Sequence, residues 1–222
     1  MTAPAQFWST VEPAWQECFE LAWEALRAGS LPIGAVLVDP SGAIVSRGRN
    51  RLNDDSAPTG QISGSFIAHA EINTLAALPP GDYSGHVLYS TLEPCFLCTA
   101  ALRHSHVGAV RFAAPDPVWR GVERLRELNQ AMARRLPRRE GPASGPLEDL
   151  GAVLHLISAV ERGITSVIES HEATMPDIVR LSRRLAGTRE LRGLSLAEAL
   201  TVVWPALPSA HGNQSTEWRR PV

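Results

Sequence analysis

Apolar positions along the first 116 residues alternate between a helical and a strand-like period. Over residues 13–28, Trp15, Cys18, Phe19, Ala22 and Leu26 recur at three- and four-residue spacing, which predicts an amphipathic helix with Pro13 in its first turn and Gly29 at its stop. Such a stripe needs a sheet to lie on. Residues 31–38 (LPIGAVLV) and 43–48 (AIVSRG) flank the turn sequence Asp39-Pro40-Ser41-Gly42 and predict an antiparallel hairpin. Residues 69–78 and 95–104 read as helices, and 86–91 and 108–113 as strands. This strand–helix–strand alternation predicts a parallel pair with a right-handed crossover. Residues 51–65, polar and rich in Gly and Ser, predict no element.

From Gly121 the pattern changes to Leu, Ala, Arg and Glu at helical spacing, broken by Pro137 and by Gly-Pro-Ala-Ser-Gly-Pro at 141–146. The expected organisation is therefore a layered α/β unit over 1–120, a mostly helical extension over 121–207 and a frayed tail over 208–222.

Composition narrows the chemistry. All 21 basic side chains are arginine, and without a lysine no Schiff base, pyridoxal-phosphate attachment or G-x-x-x-x-G-K phosphate loop is possible. Residues 1–116 carry 6 arginines against 11 acids, and residues 117–222 carry 15 against 12, so a net −5 half is followed by a net +3 half. Neither has the strongly basic footprint that makes nucleic acid the default partner. Three cysteines, with no charged-then-apolar leader at the start, predict a reducing, cytoplasmic setting. No apolar run approaches the ~20 residues that cross a bilayer.

Donors suited to a transition metal open two successive helices: His69, then Cys95 and Cys98. Cysteines three apart share one helix face, about 5 to 6 Å apart, which suits two thiolates on a single zinc ion. Pro94 fits the opening of the second helix, whose free N–H groups favour thiolate charge. Three ligands leave a tetrahedral position for water, whereas a closed structural site needs a fourth, and no motif places one. Glu71, two residues after His69, is in position to move protons at such a water without being a ligand.

The order His-Ala-Glu, then Pro-Cys-x-x-Cys, together with LPIGAVLVD, GRNR, AHAEINTL, TLEPCFLC and ALRHSHVGAVRFAAPD, resembles the cytidine deaminase-like superfamily, in the branch of guanine, cytosine and tRNA-adenosine deaminases. The resemblance spans residues 31–116. It implies a three-layer α/β/α sandwich around a mixed sheet, with Zn2+ on His69, Cys95 and Cys98 and Glu71 as the proton shuttle. It also implies substrate contacts from Asn50, from the backbone of Ala70 and Glu93, and from Asp116 near the pocket mouth. The implied reaction is hydrolytic loss of ammonia from an amino-substituted base, and the implied assembly is a homodimer.

Two features depart from that branch: 18 residues separate Asn50 from His69, and Ser-Phe-Ile replaces Asp-Pro-Thr before the histidine. This loop is expected to roof the pocket, with Phe66 packing into the core rather than stacking on a base. Cys18 reads as a core residue, and Arg134, Arg135, Arg138 and Arg139 as a solvated helix end. Trp119 is open between covering the pocket and packing between the halves, and His155 and His171 have no identifiable partner. The leading substrate reading is a free nucleobase or nucleoside. Transfer-RNA adenosine editing is the alternative, and a non-catalytic zinc-stabilised interaction protein is the third.

Overall fold

A computed structural model describes residues 3–211. In chain order its elements are α1 (Pro4–Thr10), α2 (Pro13–Arg27), β1 (Gly34–Val38), β2 (Ile44–Arg49), α3 (Ala70–Ala76), β3 (Val87–Leu92), α4 (Phe96–His104) and β4 (Ala109–Ala114). Two short turns of helix, α5 (Leu125–Leu128) and α6 (Gln130–Ala133), precede β5 (Arg138–Glu140). The helices α7 (Pro146–Glu161), α8 (Thr165–Glu172), α9 (Pro176–Leu185), α10 (Arg189–Gly193) and α11 (Leu196–Val203) complete the chain order.

The five strands form one mixed sheet in the order β2-β1-β3-β4-β5. The β1/β2 and β1/β3 pairs are antiparallel, and β3/β4 and β4/β5 are parallel. Alternation along the strands divides the core. Val36 and Val38 of β1 and Tyr89 of β3 join the apolar cluster of α2 and α7, while Ala35, Leu37 and Leu88 join Ala70, Leu75 and Leu102 on the α3/α4 side. The result is the expected three-layer sandwich. Glycine permits the closest approach: a Cβ on Gly48 of β2 would stand 2.4 Å from the Thr74 nitrogen, so α3 sits against the sheet only because none is there. Cys18, completely buried on α2, is the core residue its neighbours predicted.

The hairpin, both site helices and the β3–α4–β4 crossover follow the predicted order, with trimmed ends. β1 starts at Gly34 because Pro32 has no N–H to give to a ladder. α3 stops at Ala76, ahead of Leu78, the residue before Pro79, whose helical conformation proline disfavours.

The boundary expected at residue 120 is not a break in packing. β5, inside the stretch expected to be helical, extends the sheet by pairing Val110 with Arg139, and α7 packs onto β4 and α2 as part of the same apolar core. A three-residue charged edge strand carries no apolar alternation by which to find it. The fraying expected from Pro208 does not begin there: Pro208–His211 form a 3-10 turn in which Ser209 donates to Asp149 through its N–H at 2.8 Å and its hydroxyl at 2.5 Å. The remainder of that expected tail, 212–222, lies outside the described residues.

Candidate active site

His69 is the N-cap of α3 and Cys95 the N-cap of α4, with Glu71 and Cys98 each in the first turn that follows. The two helices start side by side on one face of the sheet, so four chemically active side chains converge. Cys98 Sγ lies 3.3 Å and Cys95 Sγ 3.7 Å from His69 Nδ1. Zinc bonds of 2.3 Å to sulfur and 2.0 to 2.1 Å to nitrogen imply N···S separations of about 3.6 Å in a tetrahedron, so the donors stand where zinc ligands stand. Zinc is the cofactor this donor set fits.

The electrostatics of the site point the same way. Cys95 is pushed down to about 4, first by a hydrogen bond from Cys98 and then, against burial, by His69 and the Cys98 N–H. Cys98 is driven up by that same hydrogen bond, by burial and by the Glu71 charge. These opposite shifts mean that two thiols so close compete for ionisation, a conflict that a divalent ion held by both sulfurs would remove. His69 is raised, chiefly by its bond to Cys95.

Glu71 is 4% exposed, and burial raises its carboxyl above the ordinary range. Its Oε1 accepts from Ser90 Oγ at 3.0 Å, and its Oε2 accepts from Cys98 Sγ at 3.3 Å. Ser90 is the residue that sequence reasoning missed. Its only signal is a serine in the apolar run of β3, on the same face as Leu88 and therefore toward α3.

Asn50 is buried at the end of β2, next to Arg51, whose N–H donates to the Ala68 carbonyl at 2.9 Å, one residue before His69. Its Oδ1 is committed to the Leu52 N–H at 3.0 Å, so Nδ2 is the donor it can offer a ligand. Arg49 and Arg51, on either side, both bond to Asp54. The long loop is fastened to α3 by Asn73, which exchanges hydrogen bonds with the Ile62 backbone at 2.7 and 3.1 Å.

Ala70 is buried in the first turn of α3. Glu93 follows β3 and carries a second unforeseen partner: Arg139, expected on a solvated helix end, is buried on β5 and ion-paired to Glu93 at 2.5 Å. Arg134, Arg135 and Arg138 are exposed, as expected.

One placement corrects the sequence reading. Phe66 does not pack in the core; it is 88% exposed, because residues 65–68 form a turn, closed by the Ala68 N–H on the Ser65 carbonyl, with Phe66 at its tip. Asp116, expected near the pocket mouth, follows β4 by two residues. It is buried where the 3-10 turn Pro117–Trp119 begins, with Val118 N–H on its Oδ1 at 3.1 Å and its own N–H on Glu93 Oε2 at 3.1 Å. Burial, then the nearby Glu93 and Cys95 charges, push it up to about 7. Trp119 stays 38% exposed and meets Phe96 edge-on at 5.9 Å.

Comparison with known proteins agrees with this geometry. Residues 9–114 match the model of the cytidine and deoxycytidylate deaminase zinc-binding region. Over 101 residues the chain is 40% identical to a tRNA-specific adenosine deaminase of Haemophilus influenzae, covering 44% of this chain and 54% of that protein. Over 105 residues it is 33% identical to a tRNA(Ile)-lysidine synthase of Deinococcus radiodurans, covering 46% of this chain and 17% of that one. The matches thus span from about a sixth to little more than half of these relatives' lengths. A structure from work on A-to-I editing by tRNA:A34 deaminases superposes with a TM-score of 0.52 at 29% identity, over 64% of this chain and 97% of that one.

Proposed function

Through residues 9–114 the chain belongs to the cytidine deaminase-like superfamily, and from that premise we propose that it hydrolyses the exocyclic C–N bond of an amino-substituted nucleobase, free or as a nucleoside. The observation that carries this is the Glu71 carboxylate held beside three convergent metal donors. His69 Nδ1, Cys95 Sγ and Cys98 Sγ would hold zinc, and when bound it supplies Lewis acidity that brings a water's pKa to roughly 7.

The chain's own residues do the rest. Ser90 Oγ–H fixes Glu71 Oε1, leaving Oε2 to move protons. A Cys98 thiolate has no proton to give, so its present bond to Oε2 is released when both sulfurs ionise. Glu71 Oε2 then takes a proton from water as the water oxygen adds to the reacting carbon, and delivers that proton to the adjacent ring nitrogen. A second transfer through the same oxygen lets the amine leave as ammonia, and the carbonyl replaces it. Burial, which raises the Glu71 carboxyl, suits a group that must both accept and return a proton. Asn50 Nδ2 and the backbone of Ala70 and Glu93 would orient the base.

A small substrate is favoured by charge. The half holding the site is net −5, and the two arginines beside Asn50 are already bonded to Asp54 rather than free for phosphates. The second reading, an adenosine within tRNA, is favoured by the identity to tRNA-specific adenosine deaminases. Ammonia release from a panel of free bases and nucleosides, against inosine formation in tRNA, separates them. The first reading expects turnover of small substrates that is insensitive to salt. Turnover of tRNA alone, falling steeply as salt rises, would replace it with the second. A homodimer belongs to the same proposal, supported by the exposed Phe66, Ile67, Phe96 and Leu97 next to the site, and sedimentation tests it.

A further inference from the structure

A second convergence of donors lies apart from the thiols. Asp116, His155 and His171 each present one ligand atom, and the three atoms lie within 4.8 Å of one another. They come from three elements: Asp116 from the end of β4, His155 from α7 and His171 from the last turn of α8. All are buried, at 4%, 8% and 0% exposure.

Their hydrogen bonds leave a vacancy of partners. His171 Nδ1 donates to the Val167 carbonyl at 2.9 Å, and among the described residues its Nε2 makes no hydrogen bond. Among the described residues, neither His155 Nδ1 nor His155 Nε2 has one. The two rings stand 5.4 Å apart. One imidazole nitrogen without a partner in a core is unremarkable, but three in adjacent rings facing a buried carboxylate are not explained by packing. The backbone bond of His171 is the outer-shell contact that ligating histidines make.

We propose that Asp116, His155 and His171 hold a second divalent transition-metal ion, separate from the thiolate site, that ties the end of β4 to α7 and α8. Two imidazoles and one carboxylate suit zinc, cobalt or nickel, and tetrahedral bonds of 2.0 to 2.2 Å would draw the donors to roughly 3.4 Å apart. The ion would make the helical half a ligand donor to the catalytic half. It would also fix the turn whose Trp119 rests on Phe96, the residue after Cys95. This proposal goes beyond the deaminase reading and does not depend on it.

The test is the metal content of the full chain, expressed in zinc-supplemented medium so that a buried site fills as the chain folds. About two zinc ions per chain are expected, and about one in the Cys95→Ser/Cys98→Ser variant. Cobalt in that variant should give visible ligand-field bands without a thiolate-to-cobalt charge-transfer band, and adding His155→Asn or His171→Asn should abolish them. One zinc in the wild-type chain and none in the folded cysteine variant would overturn the proposal. So would a second ion that survives both histidine substitutions. Should the histidine variants not fold, the wild-type stoichiometry and the cobalt spectrum of the cysteine variant still decide it.

Discussion

The His69–Cys95–Cys98 and Asp116–His155–His171 clusters are both three-donor groups within a 4.8 Å span, yet their surroundings differ in kind. The first sits at the N-termini of α3 and α4, with a carboxylate that a serine holds in place, and with exposed Phe66, Ile67, Phe96 and Leu97 nearby. The second is closed in by α7, α8 and the turn after β4, with ring nitrogens that meet no partner. Turnover needs a proton carrier, and of the two clusters the first has one, Glu71, beside it. The second has the character of a fastening between the two halves.

The comparison breaks most sharply at the cysteines. Cys95→Ser/Cys98→Ser should remove all deamination while the chain stays folded, checked by ammonia release and circular dichroism; unfolding would mean that the first cluster also holds the structure together. Next in size is the contact that joins the halves beside the site. Arg139→Ala leaves Glu93 without its buried partner and should cost about 3 kcal/mol, a Tm loss of roughly 6 to 12 °C by calorimetry.

Ser90→Ala should leave the fold and zinc content unchanged and lower kcat by roughly 10-fold or more, since a hydrogen bond to a charged group contributes about 1.5 to 3 kcal/mol. Steady-state kinetics would show this as a kcat effect with little change in KM.

The smallest effect concerns the loop arm. Burial raises the Asp54 carboxyl, but hydrogen bonds from Arg49 and Ser30 and the charges of Arg49 and Arg51 outweigh it and hold the group below its ordinary value. Its stabilisation is therefore complete above the ordinary carboxylate range and is lost as pH falls through the lower folded-state value. Asp54→Asn should cost about 1 kcal/mol near neutral pH, and the gap in thermal unfolding between the two proteins should close as the medium becomes strongly acidic.

What the sequence made legible follows the same division. His69 with Glu71, and Cys95 with Cys98, are set two and three residues apart at helix starts, so local helix geometry alone brings each pair together. The hairpin and the β3–α4–β4 crossover were equally local. Ser90 reaches Glu71 only because β3 runs beneath α3, and Arg139 reaches Glu93 only because β5 pairs with β4. His155 and His171 lie on different helices, 39 and 55 residues beyond Asp116, and no spacing rule connects them. Phe66 shows the converse error, an apolar residue beside an element that a turn carries out into solvent.

The central claim is that Glu71 moves the protons of a zinc-dependent deamination. Its most direct test is Glu71→Gln, with zinc content and ammonia release measured on the same sample against the substrate the panel identifies. Zinc at the thiolate site should be unchanged and turnover reduced by about 10²- to 10⁴-fold. Turnover close to wild type, or loss of zinc together with activity, would contradict it.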